Sequence, residues 1–220
     1  MLTRYWVCND YKILKMRKIT DLKELTKLLT FISMADGGLY RAKDSINYGF
    51  VMNMKAENED YIDYCIDILS NIVSVRKYDR KDYNTDGCNR KPQIRIESKK
   101  HPILTIIHDR IYTEKYKGLD PHALKMLDWE CMAILFMSDG CSCKKGKDKR
   151  LCVTLNMKRL SYGDQMLLKK TLKDNLDLEW NIQRQNQYFY LCLRTKDIKK
   201  FYENVKPYIL PSFSYKILDE

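Results

Sequence analysis

Two segments of the chain carry apolar residues at helical spacing and then stop at an acidic-glycine pair. They are LTKLLTFISMADGG (Leu25 to Gly38) and LDWECMAILFMSDG (Leu127 to Gly140). Leu25, Leu28, Leu29, Ile32 and Ala35 in the first, and Leu127, Cys131, Ile134, Leu135 and Ser138 in the second, recur at i, i+3, i+4 and i+7. That period predicts two helices with apolar stripes. Gly37 and Gly140 are expected to end them as C-terminal glycines do.

The two acids, Asp36 and Asp139, stand 103 positions apart, and so do Asn53-Met54-Lys55 and Asn156-Met157-Lys158. A register kept across helix, turn and following segment predicts a duplicated unit. Both following segments alternate like half-buried strands. Tyr48, Phe50, Met52 and Met54 share one face, as do Leu151, Val153, Leu155 and Met157, leaving Asn53, Lys55, Asn156 and Lys158 on the other.

Further along, residues 59–73 and 163–176 read as helices. Strand pairs are expected at 74–81 with 92–97 and at 178–184 with 188–194, and closing helices at about 101–112 and 196–205. The offset drifts here, as a loop of different length in each half would cause. The expected organisation is α+β: a pseudo-twofold pair of αββαββα units over residues 21–118 and 119–220, after a basic N-terminal arm at 1–20.

Composition narrows the function classes. Forty Lys and Arg against 29 Asp and Glu give +11 and a pI near 9.1, a positive field that attracts polyanions, nucleic acid first among them. No apolar run reaches membrane-spanning length and the start lacks a secretory signal, so neither a membrane partner nor export is expected. The eight cysteines are scattered rather than framed for disulfides, in keeping with a reducing compartment.

The segments Leu29 to Gly37 and Met132 to Gly140 resemble the LAGLIDADG signature, and the duplicated chain resembles a single-chain LAGLIDADG homing endonuclease. It departs from the family pattern where Phe31 and Ile134 replace the usual glycine, so close helix contact would rest on Thr30, Ala35, Ala133 and Ser138. The resemblance implies that the two helices pack at the pseudo-twofold interface beneath two antiparallel sheets forming a DNA-binding saddle. It also implies that Asp36 and Asp139 hold Mg²⁺ (or Mn²⁺) at the scissile phosphates. The chemistry is sensible: a helix C-terminus is electronegative, and Mg²⁺ takes few carboxylates plus phosphate and water. The end of the chain, FYENVKPYILPSFSYKI, is similar to that of mitochondrial-intron (omega-type) members, where a lysine lies near the active site. Lys216 matches it, and Lys117, with Lys115 in reserve, is the first-half counterpart. Such lysines would stabilise charge developing on the phosphate.

Strand faces in the major groove would read sequence. The candidates in the first half are Arg41, Lys43, Asn47, Asn53, Lys55, Arg76, Lys77, Arg80, Arg90, Lys91, Gln93 and Arg95. Those in the second are Lys144, Lys145, Lys147, Lys149, Arg150, Asn156, Lys158, Gln183, Arg184, Gln185, Asn186 and Gln187. Arg, Asn and Gln suit bases, whereas the CKKGKDKR run suits phosphates. Cys141, Cys143 and Cys152 lack paired C-x2-C spacing and a fourth ligand, so zinc is not expected. His101, His108 and His122 show no catalytic pattern and are expected on helix or loop surfaces.

The leading expectation is a monomeric, divalent-metal-dependent endonuclease that breaks both strands of a long asymmetric DNA target. Family resemblance leaves two alternatives: a maturase assisting group I intron RNA, and a DNA-binding relative that has lost cleavage. Retention of both acids favours cleavage over the latter, because two mutually repelling carboxylates serve no purpose in binding alone. The expected setting is intracellular, in a mitochondrion or other organelle, or in bacterial or phage-infected cytoplasm.

Overall fold

The computed structural model describes residues 18–80, 91–113, 116–146 and 150–218. The first half runs α1 (Leu22–Met34), β1 (Gly38–Tyr40), β2 (Gly49–Lys55), α2 (Glu59–Leu69), β3 (Val75–Arg80), β4 (Gln93–Ser98) and α3 (Pro102–Ile111). A short helix, α4 (Pro121–Leu124), leads into the second half. There the order repeats as α5 (Trp129–Asp139), β5 (Gly140–Lys145), β6 (Arg150–Leu155), α6 (Tyr162–Leu176), β7 (Trp180–Gln185), β8 (Tyr188–Leu193) and α7 (Ile198–Val205).

Each half forms one antiparallel four-stranded sheet with the same strand order, β1-β2-β4-β3 and β5-β6-β8-β7. The 103-residue offset survives in the pairing itself: Gly38 lies opposite Val51, and Cys141 opposite Thr154. The later drift comes from the second hairpin. Residues 81–92 separate the paired Arg80 and Gln93, whereas only Asn186 and Gln187 separate Gln185 and Tyr188. Asn186 adopts φ 55°, the left-handed conformation that asparagine tolerates in tight turns.

One face of each sheet is apolar and carries helices. Phe50, Met52, Ile94 and Ile96 line it in the first sheet, and Val153, Leu155, Leu191, Leu193 and Trp180 in the second; all are buried. Alternation leaves the other face polar in both. The sheets are not equivalent, however. β2 pairs with β4 from Val51 to Lys55, but β6 pairs with β8 only at Thr154 and Leu155. The fully buried Gln165 of α6 donates from Nε2 to the carbonyls of Met157 (3.0 Å) and Phe189 (3.1 Å), taking over hydrogen bonds the ladder would have made. Asn156 and Lys158 therefore lie past the end of β6, not in a strand as expected.

α1 starts at Asp21, whose carboxylate accepts from the Lys23 amide. Asp128 does the same for α5 at Cys131. In α5 seven consecutive residues, Cys131 to Met137, are buried, so it is apolar all round rather than striped, as suits a central helix. α1 packs on one side of it and α7, with β5 and β6, on others. Burying Met132, Leu135 and Phe136 stabilises the fold by about 1.5–3 kcal/mol each. Thr30 and Ala133 are buried, and the Thr30 hydroxyl is satisfied within its own helix by the Thr26 carbonyl. α2 ends at Leu69, short of the expected 73, because the Asn71 side chain donates to the carbonyls of Asp67 (2.8 Å) and Ile68 (3.2 Å).

The two signature glycines end their helices for a different reason from the one expected. Gly140 has φ −81°, and among the described residues only Gly146 is a glycine with positive φ. What they provide is room: a Cβ on Gly140 would sit 2.1 Å from Phe136 Cδ2 and 2.4 Å from its carbonyl oxygen, and one on Gly37 2.4 Å from Phe50 Cε2. Gly163, in the first turn of α6, would meet only Ser161 Oγ at 3.7 Å. Gly140→Ala should lower stability by roughly 1–3 kcal/mol, and Gly163→Ala should raise it by about 0.4–1 kcal/mol. Urea unfolding of both variants checks this; a Gly140→Ala midpoint equal to wild type would contradict the packing described.

Candidate active site

The last turns of α1 and α5 bring the two signature acids together. Asp36 follows the α1 cap Ala35, with the Gly37 amide turned back onto the Ile32 carbonyl at 3.0 Å. Asp139 is the last residue of α5, and its carbonyl accepts from the Asn156 amide at 2.8 Å. Asp36 is exposed and Asp139 half-buried. Burial raises the Asp139 pKa, Arg159 opposes that, and the charge of Asp36 raises it further. The acids therefore share one electrostatic neighbourhood, as the duplicated motif predicts.

Each helix end receives a lysine from the closing segment of its own half. Lys117 Nζ donates to the carbonyls of Ser33 (3.0 Å), Ala35 (2.7 Å) and Gly37 (3.0 Å). Lys216, in the 3₁₀ turn Pro211–Lys216, donates to Phe136 (3.1 Å) and Met137 (2.5 Å). Ser33 and Phe136 are themselves 103 positions apart, so the two lysines cap the same place in the repeat. Free carbonyls and the negative dipole end attract such cations. The Lys216 ammonium also lies over the rings of Phe136 (5.9 Å) and Phe213 (5.4 Å). Burial, aided by the nearby Arg159 charge, depresses the Lys117 pKa to about 8, against the pull of Asp139 and Asp36. Burial lowers that of Lys216 too, opposed by Asp36, Cys141 and Asp139. Lys115 lies outside the described residues.

Sequence reasoning missed Arg159. Its Nη1 reaches Asp139 Oδ2 at 3.3 Å, and its Nη2 donates to the Met34 carbonyl at the end of the other half's helix. Its Nε is buried without a partner, an arrangement that costs about 1–3 kcal/mol and marks a position not optimised for stability alone. The available signal was the repeat offset, which sets Ala56 against Arg159. Beneath the acids, the buried Tyr61 hydroxyl lies 3.4 Å from Ser138 Oγ. The far ends of the helices are tied by the buried Lys27, which contacts Asp128 at 2.5 Å and Glu24 at 2.7 Å. Burial disfavours its charge, but those two carboxylates keep its pKa above the ordinary lysine value.

The groups that Asp36 and Asp139 could offer a cation here are carboxylate oxygens. Among the described residues no group of three or more His, Cys, Asp or Glu could hold an ion by itself. Two carboxylates with outside oxygen ligands are what Mg²⁺ accepts, because it keeps water and takes substrate phosphates.

The open sheet faces hold some of the expected contact residues and exclude others. Pairing sets Lys55 and Gln93 in one row, Asn53, Arg95 and Tyr78 in the next, and Arg76 beside Glu97 in the third. Arg95 bonds Tyr78 (3.0 Å), Glu97 (2.7 Å) and Asn53 (3.4 Å). Lys77 alternates onto the helix side, where Glu59 and Asp63 of α2 each hold it at 2.6 Å. Asn47 is a loop fastener, accepting from Thr105 Oγ1 at 3.1 Å. Arg41 and Lys43 are exposed in the β1–β2 connection, Arg41 over the Tyr48 ring at 5.3 Å, and Lys91 pairs with Glu57 at 3.1 Å.

In the second sheet Arg150, Gln183 and Gln185 share the open face with Asn181, Tyr188 and Tyr190, which had not been singled out. Lys144 and Arg184 alternate to the opposite side, and Arg184 Nε folds onto the Asn186 carbonyl at 2.8 Å. Asn186 and Gln187 form the hairpin turn. Arg90, Lys147, Lys149 and the side chains of Arg80 and Lys145 lie outside the described residues, as does most of the basic arm.

Cys141, Cys143 and Cys152 fall on this open face, joined by Cys192, whose Sγ is 3.8 Å from that of Cys152. His101 caps α3 by accepting from the Ile103 amide. His108 stacks between Tyr48 and Tyr112 with centroids 3.6 and 4.7 Å away, a packing role rather than an exposed one.

A family model described as the LAGLIDADG DNA endonuclease family matches residues 31–201. The chain is 24% identical over 216 residues to "Probable intron-encoded endonuclease 1" of Wickerhamomyces canadensis, covering 96% of this chain and 89% of that one. It is 26% identical over 196 residues to a protein named RecA from Mycolicibacterium flavescens, covering 84% of this chain but spanning only 44% of that relative. Among solved structures, the homing endonuclease I-WcaI bound to its DNA recognition sequence superposes with TM-score 0.73 at 20% identity, over 97% of this chain and 96% of that one. I-DmoI in complex with DNA and Ca superposes at 0.50 and 15% identity, over 82% and 88%.

Lys117 gives the site a pH signature. Folded, it loses its proton near pH 8; unfolded, it keeps it to the ordinary lysine value of 10.5. Between those values the unfolded chain binds more protons, so this group makes stability rise with pH across that window. Lys117→Met should remove the rise. Denaturant unfolding from pH 7 to 10 checks it: a wild-type-minus-variant difference that stays flat above pH 8 would show that Lys117 is not desolvated.

Proposed function

This chain belongs to the LAGLIDADG DNA endonuclease family and is an enzyme of that class, and from that premise we propose that it cuts both strands of one long asymmetric DNA site by hydrolysis, acting as a monomer. The observation that carries the proposal is the pair of carboxylates at adjoining helix ends, each end capped by a lysine from the same half, Lys117 half-buried and Lys216 buried. The halves, 21–118 and 119–220, each serve one strand, and the two open sheet faces together make the saddle that receives the duplex.

Asp36 and Asp139 would hold Mg²⁺ or Mn²⁺, which when bound supplies a Lewis acid for the phosphate oxygens and acidifies water; DNA-bound I-DmoI contains Ca, in keeping with such use. Lys117 and Lys216 face charge that grows on the scissile phosphate, and their stabilisation is greatest in the transition state. Both are already oriented by helix carbonyls, so little reorganisation accompanies the reaction. Arg95, Asn53, Gln183 and Gln185 offer base-edge hydrogen bonds, while Lys55 and Arg150 suit phosphates. DNA in I-WcaI's structure supports the same partner here. The intron-encoded relative supports an intracellular, organellar setting. No observation favours the maturase reading.

The test is cleavage of candidate intron-insertion DNA and randomised DNA with Mg²⁺. Wild type should make double-strand breaks, whereas Asp36→Asn and Asp139→Asn should each leave one strand intact, and Lys216→Met should slow its strand by about 10²–10³-fold. If wild type binds intron RNA tightly but leaves every DNA uncut, the chain acts as a maturase instead.

A further inference from the structure

The two carboxylates stand in unequal surroundings although the repeat makes their helices equivalent. Among the described residues Asp36 is exposed, with no side-chain hydrogen bond or ion pair, while Asp139 is half-buried and contacts the Arg159 guanidinium at 3.3 Å. The lysines do not create the difference, since both halves have one at matching carbonyls. Arg159 does: its counterpart at the 103-residue offset is Ala56, which carries no charge. Its second arm, on the Met34 carbonyl of the opposite helix, fixes it between the two centres, so that it cannot swing away from Asp139 without giving up that bond.

We infer that Arg159 is a positioning residue that makes the two half-sites unequal toward a divalent cation, occupying the cation's place at Asp139 and leaving Asp36 open. The inference rests on the metal-dependent reading above. A guanidinium a few ångströms from a carboxylate opposes a second cation there strongly when water is partly excluded. Asp36 therefore binds an ion at lower concentration than Asp139. On a duplex the strand served by Asp36 is cut first when metal is limiting.

Mn²⁺ binding to the full chain, measured by the electron paramagnetic resonance signal of free Mn²⁺, tests this without cleavage. Asp139→Asn, which keeps only Asp36, should bind Mn²⁺ about tenfold more tightly than Asp36→Asn. Adding Arg159→Met to Asp36→Asn should bring its affinity to within about twofold of the Asp139→Asn chain, while Arg159→Lys, which keeps the charge, should leave it weak. Met and Lys have similar stems, so a packing defect would affect both alike. Equal affinities of the two single-acid chains, or equal effects of Met and Lys, would overturn the inference alone. Absence of Mn²⁺ binding by wild type and every variant would overturn this inference, whereas the metal reading falls if DNA cleavage proceeds unchanged with a chelator in place of Mg²⁺.

Discussion

Bringing two helix C-termini together with a carboxylate on each concentrates negative charge. The unpaired carbonyls and dipole ends of α1 and α5 add to the charges of Asp36 and Asp139, and burial around Asp139 makes its ionised form costlier still. Much of the surrounding structure answers this constraint. The segment after α3 turns back to place Lys117 under one helix end, and the 3₁₀ turn after α7 places Lys216 under the other. Arg159 arrives from the loop before α6 to bridge both. These cations offset the repulsion without neutralising Asp36, which keeps an open side.

The same helix pair organises the core. α5 is buried on every side because it packs against α1, α7 and its own sheet, and such a helix tolerates almost no polar side chain. Polar pairing is therefore pushed to its ends. Lys27 meets Asp128 at the start of the pair, and the carboxylate centre forms where it finishes. Glycine at 37 and 140 lets strands leave at once from those ends, because any Cβ would collide with Phe50 or Phe136. The first strand of each sheet thus starts directly beside the carboxylate pair.

Duplication has not kept the two sheets alike. The first open face carries Arg76, Arg95 and Lys55, with Glu97 among them, whereas the second offers glutamines, tyrosines and four cysteines around Arg150. Gln165 further shortens the second ladder by inserting between β6 and β8. Two faces of unlike chemistry suit an asymmetric duplex better than a palindrome, because identical half-sites would meet different donors and acceptors. The unequal carboxylate surroundings belong to the same divergence.

The repeat, the element order and the two acids were legible along the chain, because hydrophobic period and a constant offset are properties of residue order and survive without knowledge of contacts. The pairing register at Gly38 and Cys141 preserves that offset. The lysines could be named only through resemblance, since nothing local in Lys117 or Lys216 says that it caps a helix far away in sequence. Lys77, Lys144 and Arg184 looked like surface readers, yet strand alternation turned them to the helix side. Asn156 and Lys158 matched Asn53 and Lys55 by offset but lost their strand to Gln165. Arg159 drew no attention, because its partners are Asp139 and a main-chain carbonyl 125 positions away. Periodicity is local, whereas burial, the side of a sheet and the meeting of charges are set by long-range packing, and only the folded chain decided them.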